Sequence, residues 1–209
     1  MLDIHDFAVF LGAALLLNLT PGPDTLYVVS HATARGWRGG AVAALGIGTG
    51  CLVHILAATL GLSALLLASA RAFAVLRYVG AAYLVWVGIG LLAAAPATPP
   101  VAPRAAALGG RRIFVGAALT NALNPKVALF FLAFLPQFVA ADGAHRAASF
   151  LLLGCLFDLG GTLWLLLVAR LAARAVARPG RAARAARSLR RLSGVVFVAL
   201  GLRLALARA

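Results

Sequence analysis

Asn18-Leu19-Thr20-Pro21-Gly22-Pro23-Asp24 lies in the middle of an apolar run, with Phe7 to Leu17 before it and Thr25 to Ala34 after it. Two prolines and a glycine in three residues cannot continue an α-helix, because proline lacks the donor N–H and clashes with the preceding turn. Each flank alone is too short to cross a bilayer. At about 1.5 Å rise per residue each reaches roughly 16 Å, while the two together approach the ~30 Å hydrocarbon core. The stretch therefore reads as one membrane helix broken near its midpoint. Backbone groups freed by such a break are tolerated only where protein or a watery cavity satisfies them. Asp24 sits beside the break, and an ionisable residue inside a span is costly and usually functional.

The rest of the chain agrees. Of its 209 residues 63% are hydrophobic and only 11% charged, a composition of polytopic membrane proteins. The net charge of +14 does not call for nucleic acid, because the arginines fall in loops between apolar runs, where they orient and anchor the chain. Cys51 and Cys155 lie inside apolar runs, which argues against a disulfide framework. The N-terminal Met-Leu-Asp-Ile-His-Asp has no basic region, so no removable signal peptide is expected.

Six spans follow in order. The first is Phe7 to Ala34, with Arg35 and Arg38 in a short loop after it. The second, Val42 to Leu67, holds His54 near its middle. The third is Val79 to Ala95, with Tyr83 and Trp86 as interface aromatics. Residues 96–112 are a linker rich in proline and arginine. The fourth, Ile113 to Ala141, is interrupted by Asn121-Ala122-Leu123-Asn124-Pro125-Lys126. The fifth, Ala147 to Ala169, has Asp158 at its centre. Arg170 to Arg191 then carries eight arginines, and the sixth span is Leu192 to Ala207. The loops after the odd spans hold thirteen arginines against five on the other side. The positive-inside rule puts those loops in the cytoplasm and both termini outside.

Sliding the chain by 104 residues aligns Phe10-Leu11-Gly12-Ala13-Ala14-Leu15 with Phe114-Val115-Gly116-Ala117-Ala118-Leu119, and Pro21 with Pro125. The same offset aligns Gly50-Cys51-Leu52-Val53-His54 with Gly154-Cys155-Leu156-Phe157-Asp158. One offset that matches both breaks and both mid-span polar residues indicates an internal repeat. Three spans per repeat force the second into inverted orientation. The expected fold is an all-α integral membrane protein of six transmembrane helices in two inverted repeats, 1–95 and 113–209, joined by 96–112, with helices 1 and 4 broken at Pro21 and Pro125. Such proteins are transporters with a site near the midplane between the repeats.

The polar groups expected at that depth are Asn18, Thr20, Asp24, His54, Asn121, Asn124, Lys126 and Asp158, around Pro21, Gly22 and Pro125. Free N–H groups at a half-helix start suit a carboxylate, and free carbonyls at a half-helix end suit an ammonium. A zwitterionic amino acid needs both. Plainer roles compete. Asn18 and Asn121 can cap the broken ends, Asp24 can neutralise Lys126, and His54 can be a satisfied core histidine. Asp158 has no opposite charge in its own span, so it must face a cavity, Lys126 or His54, or carry a proton. Cys51 and Cys155, equivalent in the repeat, admit a membrane thiol–disulfide electron carrier, against plain helix packing.

Asn18 to Tyr27, the Gly-Ala-Ala-Tyr-Leu of Gly80 to Leu84, and Asn124-Pro125-Lys126 followed by Phe130-Phe131-Leu132-Ala133-Phe134-Leu135-Pro136-Gln137-Phe138 resemble the lysine exporter and homoserine/threonine resistance family over nearly the whole chain. The resemblance implies an inner-membrane exporter of amino acids or derivatives, driven by the proton motive force, with no enzymatic activity and no cofactor. The expectation is export of a small neutral amino acid in exchange for protons. Asp158 is the first choice for proton carrier and Asp24 the second. The family also includes cadmium exporters, so a metal exporter using Cys51, Cys155 and His54 is the minor alternative. The expected partners are the substrate, protons and lipid, and a chain this small could work as a homodimer.

Overall fold

In a computed structural model the described residues are 3–62, 108–140 and 143–175, with scattered helical positions in 75–93 and 195–206. The third and sixth expected spans, most of the linker and the Arg-rich loop lie largely outside them. Among the described residues the chain is helical, apart from one isolated antiparallel bridge between Ile4 and Val139. Helix α1 is Phe7–Leu19, α2 is Pro23–Ala57 with a π turn over Ala58–Leu62, α3 is Gly110–Ala122, α4 is Pro125–Leu129 and α5 is Arg146–Ala175. A π turn, Phe130–Phe134, and a 3-10 turn, Leu135–Phe138, extend α4. Two stretches, Pro23–Gly61, which turns at Gly36, and Arg146–Arg174, are by length and composition apolar enough to cross a membrane. The pair Gly110–Ala122 and Pro125–Phe138, bent by 43° at its break, adds a third if counted as one span.

Both breaks fall where proline dictates. Pro23 and Pro125 each occupy the first turn of the following helix, the one place where a missing N–H costs nothing. The loop expected at Arg35 and Arg38 is tighter than the sequence suggested. Helix geometry continues on both sides of Gly36, which alone leaves it, with φ 68° and ψ −168°. A side chain there would be strained. Across Gly36 the chain folds back on itself. A Cβ at Gly40 would lie 2.7 Å from the Ala32 Cβ, although eight residues of straight helix span about 12 Å. So residues 23–35 and 37–57 are two arms of a hairpin.

Lipid tails are as apolar as leucine, so close packing, not water exclusion, holds such helices together. Small residues let them approach. A Cβ at Gly46 or Gly50 would strike the backbone carbonyl of Phe114 or Ala118, so α2 and α3 touch backbone to backbone. The buried side chains form two clusters. One is aromatic, with Phe10, Phe130, Phe131, Phe134, Phe138, Phe150 and Phe157. The other is small, built on Val28, Ala32, Ala43, Ala44, Ile47, Ile113, Ala117, Leu165 and Ala169. Leu15, Leu56, Leu119, Leu159 and Leu163 point outward, as a lipid-facing surface requires.

Candidate functional site

A polar pocket lies between the two clusters. Leu17, Cys51, Val127 and Phe157 of the first cluster and Ile47 and Leu165 of the second line it. Its polar wall comprises Asn18, Thr20, Gly22, Asp24, Thr25, Asn121, Lys126, Asp158, Gly161 and Thr162. Both helix breaks and the middle of α5 therefore meet at one place.

The breaks hold each other. The Lys126 ammonium donates to the backbone oxygens of Leu17 and Thr20, each at 3.0 Å. These are carbonyls at the open C-terminal end of α1, where a cation is favoured. In the other direction, Asp24 Oδ2 accepts from the side-chain amides of Asn121 and Asn124, each at 2.9 Å. Leu17 and Thr20 stand four and one residues before Pro21, and Asn121 and Asn124 stand four and one before Pro125. Each break thus sends one charged group to the same two positions of the other. The opposite charges also act on one another across the interface.

Three expectations change. Asn124, not Asn121, caps a broken end: its Oδ1 accepts from the Lys126 backbone N–H at 3.0 Å. Asn18 does not cap α1. Its amide donates to the Phe157 carbonyl of α5 at 3.0 Å, and Thr20 Oγ1 donates to the Leu16 oxygen at 2.7 Å instead. His54 is off the pocket wall. Its Nε2 meets the Asn121 carbonyl at 2.9 Å and its ring stacks on Phe131 at 6.0 Å. That makes it a buried support for the second break. Pro21, Asn124 and Pro125 shape the breaks but are likewise off the lining.

Asp158 does face the pocket. Its hydrogen-bond partner is the Thr162 hydroxyl, 3.5 Å from Oδ1, and Cys51 lines the same pocket. A Cβ on Gly48 of α2 would come within 3.3 Å of Asp158 Oδ1 and 2.5 Å of Thr162 Oγ1, so the glycine leaves that face open. Sequence reasoning passed over Ile47, Thr162 and Leu165 and gave Cys51 no part in the site. Helical spacing could have found them. Ile47 and Cys51 are four apart, and Asp158, Thr162 and Leu165 recur at four and seven, each set on one face. The two cysteines are free, Cys51 buried and Cys155 exposed. With His54 behind Asn121 and Cys155 turned outward, the three soft ligands of the metal alternative do not converge among the described residues.

Apolar helices broken at membrane depth around a charged pocket define a membrane transporter of small solutes. The LysE type translocator family model matches residues 15–208, and the chain belongs to that family. It is 34% identical over 210 residues to an uncharacterised membrane protein of Pseudomonas aeruginosa, covering 99% of this chain and 97% of the relative. It is 32% identical over 199 residues to the homoserine/homoserine lactone efflux protein of Salmonella typhi, covering 95% of each. It is 28% identical over 202 residues to the leucine efflux protein of Salmonella typhimurium, covering 97% of this chain and 95% of the relative. No solved structure matches. The protein is a membrane translocator and not an enzyme, and the electron-carrier alternative gives way.

Proposed function

We propose that the protein exports a small amino acid or close derivative across the bacterial inner membrane in exchange for protons. Its side chain would be uncharged. The observation that carries this reading is the pocket at the meeting of the two breaks, with both signs of charge beside an apolar wall. Relatives named for efflux of leucine and of homoserine and its lactone support the substrate class. Asp158 is the proton carrier, because it faces the pocket with the uncharged Thr162 hydroxyl as its hydrogen-bond partner. Asp24, Lys126, Asn121, Thr20 and Gly22 hold the pocket in shape or touch the substrate, and Asn18 ties it to α5.

The reciprocal brace supports two inverted repeats, 1–95 and 113–209, with 96–112 between them, six spans in all and both termini outside. A homodimer remains compatible with this arrangement. The test is export itself. Cells overexpressing the chain are expected to lose preloaded leucine or homoserine faster than vector controls, and to grow at higher concentrations of inhibitory leucine analogues. Loss no faster than in vector controls for every uncharged amino acid tested, with the protein present in the membrane, would overturn the reading.

A further inference from the structure

The brace occupies two of the three charged side chains on the pocket wall. Lys126 is held by the carbonyls of Leu17 and Thr20, and Asp24 by the amides of Asn121 and Asn124. Their charges offset each other across the break. Asp158 is the third. Among the described residues its hydrogen-bond partner is the uncharged Thr162 hydroxyl of its own helix, and Cys51 of α2, Asp24 and Lys126 line the same pocket. The wall therefore carries one negative charge in excess, at Asp158. A carboxylate at membrane depth must be neutralised by a proton or a cation. The neighbouring wall is Leu17, Ile47, Phe157 and Leu165, which suits an aliphatic side chain.

We infer that Asp158 binds the substrate's ammonium group as well as the proton, so that each excludes the other, and that the substrate class is primary amines with a short aliphatic side chain, the free carboxylate being dispensable. This rests on the export reading and names the group that the site recognises. The exchange balances simply. A protonated Asp158 carboxyl releases one proton and accepts one R–NH3+ in its place. Outward passage of a monocationic amine for one proton inward moves no net charge. With a zwitterion each cycle moves one positive charge inward.

The test separates the two ends of leucine. The purified full chain is titrated calorimetrically with leucine, with 3-methylbutylamine, which lacks the carboxylate, and with 4-methylpentanoate, which lacks the amine. The amine is expected to bind within about tenfold of leucine and the carboxylate at least about a hundredfold more weakly. Between about pH 7.5 and 5.5 the amine's affinity is expected to fall, by up to about tenfold per pH unit where one proton competes. Asp158→Asn is expected to weaken amine binding at least about tenfold and flatten the pH dependence, while Asp158→Glu retains it. If Asp158→Asn does not fold, the wild-type pH series and the Glu variant still decide. Carboxylate binding as tight as amine binding, pH-independent amine binding, undiminished binding by Asp158→Asn, or no binding by any probe would each overturn the inference. Leucine counterflow in proteoliposomes tests the export reading separately. Its absence beside pH-linked amine binding sinks export and leaves the subsite standing, while counterflow with pH-insensitive binding does the reverse.

Discussion

At the scale of single residues, Lys126 and Asp24 are explained by the backbone they serve. Buried carbonyls without partners are costly in a bilayer, and Lys126 donates to the Thr20 carbonyl and adds a second donor to that of Leu17, which also accepts from the Thr20 N–H. Lys126→Met is expected to destabilise the protein by about 1–3 kcal/mol, the usual range for losing hydrogen bonds to a charged group. A lowered midpoint of thermal unfolding in detergent would register it, and an unchanged midpoint would show that water replaces the ammonium. Gly48 is expected to matter for function more than for folding. Gly48→Ala puts a methyl against Thr162 Oγ1 and Asp158 Oδ1. Transport should fall at least about tenfold, whereas Gly12→Ala, which meets nothing within 4 Å, should leave it unchanged. That Asp24, Lys126 and Asp158 would gather at the breaks was legible because charge inside an apolar run has few explanations. The role of Asn18 was not. An asparagine beside a break reads as a cap, and only the approach of α5 supplies the Phe157 carbonyl that takes its amide.

At the scale of elements, the proline breaks were legible to within a residue or two, since proline enforces them locally. The hairpin turn was less so. Arg35 and Arg38 marked a loop by charge, but the turn needs only Gly36 in a left-handed conformation. Gly36→Ala is expected to cost about 1–3 kcal/mol, because φ 68° with ψ −168° is a region essentially confined to glycine, visible as a lower unfolding midpoint with transport retained at low temperature. An unchanged midpoint would mean that the turn relaxes to another geometry. The residues that complete the pocket, Ile47, Cys51, Thr162 and Leu165, are ordinary helix residues whose importance depends on which face α2 and α5 turn to the breaks. Spacing grouped them, but only packing aimed them inward.

At the scale of the whole molecule, the breaks, the brace and Asp158 describe a translocator with a charged pocket where the two breaks meet the middle of α5. Topology can be checked directly. In a cysteine-free background, a cysteine at Ala185 is expected to resist an impermeant thiol reagent added outside intact cells, and one appended after Ala209 to react. Protection of the C-terminal probe would contradict six spans and the inverted repeat. The background is itself informative: Cys51→Ser with Cys155→Ser is expected to keep most transport, since both thiols are free and serine is of similar size, whereas a thiol carrier would lose everything. The central claim is that protons drive export through Asp158. It is tested most directly in proteoliposomes holding labelled leucine at equal concentration inside and outside, with an imposed pH gradient, comparing wild type and Asp158→Asn. Wild type is expected to move leucine against its concentration gradient while protons run down theirs. Asp158→Asn should lose that coupled movement yet still exchange leucine at saturating concentration without a gradient. Gradient-driven transport by Asp158→Asn at the wild-type rate and with the wild-type pH dependence would contradict the claim.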